Sequence, residues 1–255
     1  MPLVKDVPDS PLVTSPQILT RKNETSIAYH KVEGKAPGVI FMNGFMSDMN
    51  GSKALALEQL CRDREQAFLR FDYQGHGKSS GEFTHCTIGT WAKDALAALD
   101  QLTDGPQIIV GSSMGGWIML LTAIARPARV IGLVGISAAP DFTANSLPQQ
   151  LTTKQLAEID EKGIIVVPSE YEDPYTITKM LLRNVRMSSN LTKPDVDPPI
   201  NIMRYMCIGP SIRTAAVNLF ECITRFKPIQ YAFKIQRRLI QKTDKLALWH
   251  SLISP

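Results

Sequence analysis

The stretch Gly111-Ser112-Ser113-Met114-Gly115-Gly116 constrains the fold of this chain more than any other, because it lies where the apolar run Gln107-Ile108-Ile109-Val110 gives way to a helical pattern. A serine with glycines two residues to either side reads as a sharp, strained turn from strand to helix. Side chains at Gly111 and Gly115 would collide across such a turn, and glycine relieves the clash. The turn would lift the Ser113 hydroxyl above the sheet. The Met114 amide, at a helix N-terminus, would point into the same space.

The surrounding segments repeat the strand-then-helix order. Gly38-Val39-Ile40-Phe41-Met42 reads as a buried strand ending at Asn43-Gly44-Phe45, and Ala67-Phe68-Leu69-Arg70-Phe71 as another ending at Asp72-Tyr73-Gln74-Gly75-His76-Gly77. Val130 to Ile136 is a further run of this kind. Helical patterns cover Gly51 to Arg62, Thr87 to Leu102 and Gly116 to Ala125. Strands alternating with helices predict a mostly parallel, doubly wound α/β sheet with both faces covered.

A chain of 255 residues, 44% hydrophobic and 20% charged, fits one such domain with a substantial core and is not disordered in composition. No apolar run reaches the roughly 18 residues of a membrane span. Met1-Pro2-Leu3-Val4-Lys5-Asp6 lacks the apolar stretch of a secretory signal, which predicts a cytoplasmic protein, or a mitochondrial-matrix one if a transit peptide is absent from this chain. Cys61, Cys86, Cys207 and Cys222 have no paired metal spacing and read as reduced, mostly buried thiols. Four histidines make a zinc site improbable, so no metal is expected. Gly77-Lys78-Ser79 resembles the end of a phosphate loop, but the required upstream glycine position holds Asp72.

Charge divides the chain. From Asn201 onward there are nine basic residues against two acids, leaving nineteen and twenty-two before it. Ile212, Ala215, Ala216, Leu219, Phe220 and Ile223 fall on one helical face, as do Tyr231, Ile235 and Leu239. A basic amphipathic pair of this kind could dock on an acidic membrane or a partner. No nucleic-acid partner is assigned, and a monomer is expected.

Taken together, Asn43-Gly44-Phe45, Phe71-Asp72-Tyr73-Gln74-Gly75-His76-Gly77-Lys78-Ser79-Ser80-Gly81, Gly105 to Trp117 and Ala125-Arg126-Pro127 resemble the α/β-hydrolases. Within them the motifs are most similar to the serine esterase and thioesterase branch that holds palmitoyl-protein thioesterases and bacterial esterases. The resemblance runs from about Leu19 to Leu182, with Trp91, Asp94 and Pro174-Tyr175-Thr176-Ile177-Thr178 included. It implies a core at 19–182 behind an N-terminal extension at 1–18, and a small lid at 141–182 whose Phe142, Leu147, Leu151, Met180 and Leu181 line an acyl site or form the lid's own core. It also implies that Ser113 is the nucleophile and that the amides of Met114 and Phe45 form an oxyanion hole. The substrate would be a small acyl ester or acyl thioester, an acylated protein included, and no cofactor is needed.

Such a serine needs a histidine base and an acid, in the chain order serine, acid, histidine. The His-Gly-x-x-Asp and Asp-His signatures expected after the lid are not found beyond Leu182. Substitutes are Asp141, which follows the Val130 to Ile136 run and otherwise reads as a helix cap, and His250, the one histidine after the elbow. His76, between two glycines, reads as structural. The segment 183–255 is thus an atypical, helix-prone tail in which the last strands of the sheet are missing or replaced, as by a frameshift, alternative splice or misjoined gene model. Three readings follow: a serine esterase or thioesterase, a catalytically impaired relative that keeps the pocket, and an aberrant, poorly folding product that lacks the triad acid and histidine.

Overall fold

A computed structural model describes residues 15–22, 24–144, 146–169, 174–183 and 203–207. Among these, one seven-stranded sheet and one two-stranded sheet carry the fold. The strands are β1 (Gln17–Thr20), β2 (Ser26–Val32), β3 (Lys35–Met42), β4 (Gln66–Phe71), β5 (Gln107–Ser112), β6 (Val130–Ile136), β7 (Ile164–Val167), β8 (Tyr175–Thr178) and β9 (Met203–Cys207). The helices are α1 (Ser52–Asp63), α2 (Ile88–Leu102), α3 (Met114–Ala125), α4 (Ser146–Gln150), α5 (Thr153–Lys162) and α6 (Lys179–Arg183).

The large sheet runs β1-β2-β4-β3-β5-β6-β9. β1 and β2 are antiparallel to their neighbours, and every pairing from β4 to β9 is parallel. The expected α/β-hydrolase architecture is therefore present. β3, β5 and β6 side by side bring the ends Met42, Ser112 and Ile136 to one edge of the sheet. Residues that follow parallel strands at that edge are the ones that can share a site.

Period-two alternation explains the layering. Val39 and Phe41 join Ala54, Leu57 and Cys61 of α1 on one face, with Phe68, Ile108, Val110 and Val134. Ile40 and Met42 face the other side, where Leu69, Phe71 and Ile109 meet Trp91, Ala95, Leu99 and Ile118 of α2 and α3. Both faces of the central strands are thus apolar, so they read as continuous hydrophobic runs. α2 starts in a reciprocal Thr87–Thr90 capping box, and α5 in one between Thr152 and Gln155. α5 stops at Gly163, whose φ of 79° is the left-handed geometry that glycine supplies without strain.

Two expectations about boundaries need correction. β1 begins at Gln17, inside the stretch assigned to an N-terminal extension, because its pairing with β2 uses Gln17 opposite Tyr29. The tail is not devoid of sheet: Met203–Cys207 pairs in parallel with β6, Gly132 opposite Met203 through Ile136 opposite Cys207. An exposed β6 edge would leave a row of unpaired amides and carbonyls, and β9 satisfies them. The helical faces proposed at 212–223 and 231–239 lie outside the described residues.

The closest backbone approach in the fold is at Gly115, where an added Cβ would meet the carbonyl oxygens of Met42 and of Asn43, the latter at 2.5 Å. Rigid backbone on both sides leaves no side chain to yield. Gly115→Ala is expected to cost about 3 kcal/mol, a fall in Tm of roughly 6–12 °C for a domain of this size. Thermal unfolding by circular dichroism measures it.

Candidate active site

Ser113 sits between β5 and α3 with φ 51° and ψ −118°, a strained conformation for a residue with a side chain. The surrounding backbone holds it there. The Ser113 N–H donates to the Ile136 carbonyl at 3.0 Å, and the Ser113 carbonyl accepts from Gly116 at 2.9 Å and Ala139 at 3.1 Å. A Cβ on Gly111 would lie 2.7 Å from the Gly115 carbonyl carbon, and one on Gly116 would overlap Ala138. The spacing read from the sequence is thus the spacing the turn requires.

Beside the turn lies the loop after β3. A Cβ placed on Gly44 would stand 3.6 Å from the Ser113 Cβ, so Gly44 and Phe45 flank the serine. Asn43 anchors the loop by donating from its side chain to the Phe71 carbonyl at 2.9 Å. Met46 takes a left-handed φ of 54°, and its N–H donates to Nε2 of His76 at 3.2 Å. Met114 is fully buried at the start of α3. Of the site residues taken from the sequence, Ser113 and Met114 thus share one turn, with the Gly44–Phe45 loop beside it.

An aromatic cluster closes over this loop. Phe45 meets Phe83, Phe142 and Tyr175 edge to face, with centroids 5.3, 5.6 and 5.5 Å apart. Phe142 also packs on Trp117 at 6.1 Å. Thr176 donates its N–H to the Met46 sulfur at 3.3 Å. The segment expected to be a lid, with the β7–β8 hairpin that the sequence reading left out, so rests on the loop beside Ser113. Leu147 and Leu181 are buried there as core. Met180 is about half exposed.

His76 has both ring nitrogens committed. Nε2 accepts from Met46, so the proton is on Nδ1, which donates to the Gln74 carbonyl at 3.2 Å. Trp91 donates to that same carbonyl at 3.0 Å. Asp94 accepts from the Gln74 backbone at 2.8 Å and side chain at 2.7 Å, and pairs with Arg21 at 2.8 Å. Burial pushes Asp94 above the usual carboxylate range, against these bonds. Asp72, accepting from Met49 at 2.7 Å and Lys78 at 2.8 Å, is pushed by burial to about 6. Cys61 and Cys86 are free and buried, which raises them to about 12 and about 11, so both stay protonated near neutral pH.

The substitutes for an acid and a base fare differently. Asp141 is half-buried at φ 56°, and its Oδ1 is buried without a hydrogen-bond partner. It follows Ala139, whose N–H holds the Ser113 carbonyl, so it lies on the same edge as the serine. His250 lies outside the described residues. His30 lies in β2, and His85 ends the short turn Phe83–His85, whose Phe83 packs on Phe45.

A serine on a strained strand-to-helix turn, with a second loop alongside it at the carboxyl edge of a parallel sheet, defines an α/β-hydrolase. The serine aminopeptidase S33 family profile matches residues 36–185, and the chain belongs to that family. It is 41% identical over 196 residues to mitochondrial palmitoyl-protein thioesterase ABHD10 of human and of cattle, which covers 76% of this chain. The chain spans 64% of the length of those two relatives. Among solved structures it is similar to mouse alpha/beta hydrolase domain-containing protein 10, with a TM-score of 0.67 and 32% identity over 84% of this chain and 100% of that one. It is also similar to a putative hydrolase from Agrobacterium vitis S4, with a TM-score of 0.72 and 28% identity over 82% of this chain and 97% of that one.

Burial lowers the pKa of His76 from its ordinary 6.5 to about 4, partly opposed by its bond to Gln74. Between those values the unfolded chain binds the extra proton, so the contribution of His76 to stability is full above pH 6.5 and is lost as pH falls toward 4. The stability advantage of the wild type over His76→Gln is expected to shrink by up to about 3 kcal/mol between pH 7 and pH 4. Paired urea titrations test this, since Asp72 is present in both proteins and cancels.

Proposed function

We propose that the chain is a serine hydrolase that cleaves an ester or thioester through an acyl-enzyme on Ser113. The observation that carries this reading is the strained backbone of Ser113 on the β5–α3 turn with the Gly44–Phe45 loop beside it. The Ser113 hydroxyl oxygen attacks the acyl carbon, and the carbonyl becomes a tetrahedral oxyanion. The N–H groups of Met114 and Phe45 stabilise that charge, each worth about 3–4 kcal/mol in such a site. Collapse expels the alcohol or thiol, and water then releases the acid. We assign the base to His250, by chain order, and its orienting acid to Asp141, by its buried, unpartnered Oδ1 at the same sheet edge.

The names of the thioesterase relatives support a fatty-acyl thioester on a protein as substrate, and the apolar surround of Phe45 and Phe142 suits an acyl chain. The same names favour a mitochondrial location over the cytoplasm.

A fluorophosphonate probe is expected to label wild-type protein and not Ser113→Ala. Labelling of the alanine variant would move the nucleophile elsewhere, and well-folded wild type that binds an acyl substrate without a burst of product would make the chain a non-catalytic binder. His250→Ala is expected to lower kcat by about four orders of magnitude or more. Turnover unchanged by that substitution would remove His250 from the mechanism.

A further inference from the structure

We infer that His76 is a positioning residue for the oxyanion loop: its neutral Nε2 accepts the Met46 N–H and so fixes the preceding peptide, Phe45, against Ser113. The inference rests on the proposed role of the Phe45 amide.

The bond lies one residue beyond the proposed donor. Met46 adopts φ 54°, where a side chain is strained, so the loop needs outside restraint to stay there. Among the described residues the loop is tied by the Ser47 N–H on the Gly44 carbonyl at 3.3 Å and by the Asn43 side chain on Phe71, and Met46 itself is held from other segments by Nε2 of His76 on its N–H at 3.2 Å and by the Thr176 N–H on its sulfur at 3.3 Å. A sulfur acceptor is the weaker partner, which leaves His76 as the principal restraint.

His76 is itself held on every side. Its Nδ1–H donates to the Gln74 carbonyl at 3.2 Å, which fixes the tautomer that leaves Nε2 free to accept. Gln74 is fixed by Asp94 through two bonds, and Asp94 by Arg21. The ring is packed edge to face by Tyr73, Phe83 and Trp91, with centroids 5.8, 5.1 and 5.1 Å away. Gly75 (φ 72°) and Gly77 (φ 48°) on either side let the backbone turn sharply enough to aim the ring at the loop. A chain of contacts thus runs from Arg21 on the sheet's antiparallel edge, through Asp94, Gln74 and His76, to the peptide next to Ser113. A displacement of about 1 Å at a positioned group can lower a rate by about two orders of magnitude, so such a chain is functionally significant without touching substrate.

The test has three parts. In ¹⁵N NMR of the wild type, the His76 ring is expected as the Nδ1–H tautomer with an acceptor Nε2 at pH 7; an Nε2–H tautomer overturns the inference, because a protonated nitrogen cannot accept. In His76→Phe, which keeps the ring packing and removes the acceptor, the Met46 amide is expected to exchange with solvent at least 10-fold faster; unchanged exchange in folded protein overturns it. With an acyl ester substrate, His76→Phe is expected to lower kcat about 10- to 100-fold with KM little altered, and His76→Gln, which keeps an acceptor, to recover most of that loss. Equal kcat in wild type and His76→Phe overturns the inference. Wild-type protein that fails to react with a fluorophosphonate would sink the proposed function, while the tautomer and the Met46 exchange would still decide the role of His76.

Discussion

The passage of α3 over the end of β3 is the contact on which the rest of the site depends. Gly115 lies against the Met42 and Asn43 carbonyls so closely that no side chain fits, while Gly111 faces Gly115 across the turn. Two backbones pressed together in this way hold the start of α3 against the end of β3, which is itself paired with β5. The position of Ser113 relative to Gly44 and Phe45 follows from it, since one residue follows β5 and the others follow β3. Packing energy from α2 and α3 against Ile40, Met42 and Ile109 holds the helix down on that contact.

Strain at the turn is stabilised by hydrogen bonds rather than removed. Ser113 and Met46 both take left-handed φ values, and each is tied by groups from other segments: Ile136 and Ala139 for the serine, His76 and Thr176 for the methionine. Backbone strain of order 1–3 kcal/mol per residue persists only where the surroundings over-determine the geometry. Here a buried polar network does so on one side, and an aromatic cluster around Phe45 on the other. The two meet at Phe83 and Trp91, which touch both His76 and Phe45.

The parts of the fold legible in the sequence are those whose signals are local. Val130–Ile136 begins and ends where its apolar run does, and α2 begins at the capping residue Thr87. The Ser113 turn was legible because its glycines answer a steric demand within six residues. The β1–β2 hairpin, the β7–β8 hairpin and β9 were not, because each is short and is defined by its partner. Gln17–Thr20 alone carries no periodic signal, and Met203–Cys207 is a strand only because β6 offers an open edge. The flanking glycines of His76 mark a tight loop in the sequence, and Gly75 and Gly77 do take positive φ. That its free nitrogen reaches Met46, 30 residues away, is a matter of tertiary placement that no local pattern encodes.

On the proposed function, the placement of Ser113 and its activation are separable. Among the described residues, the contacts that shape the Ser113 turn and the Phe45 loop come from residues between Arg21 and Thr176, and the described part of the tail adds β9 to the sheet edge beyond β6. The geometry around Ser113 therefore rests on its own packed core and its own hydrogen bonds, whatever supplies the base. In the proposed mechanism, loss of an activating group lowers the rate at which the hydroxyl loses its proton and leaves the proposed Met114 and Phe45 donors untouched. Serine hydrolases deprived of triad residues retain about 10³–10⁴-fold catalysis over water from the oxyanion hole and binding alone. A site built in this way keeps affinity for a tetrahedral acyl analogue even where turnover is slow, so binding of such an analogue reports on the loop and elbow, and turnover reports on the base.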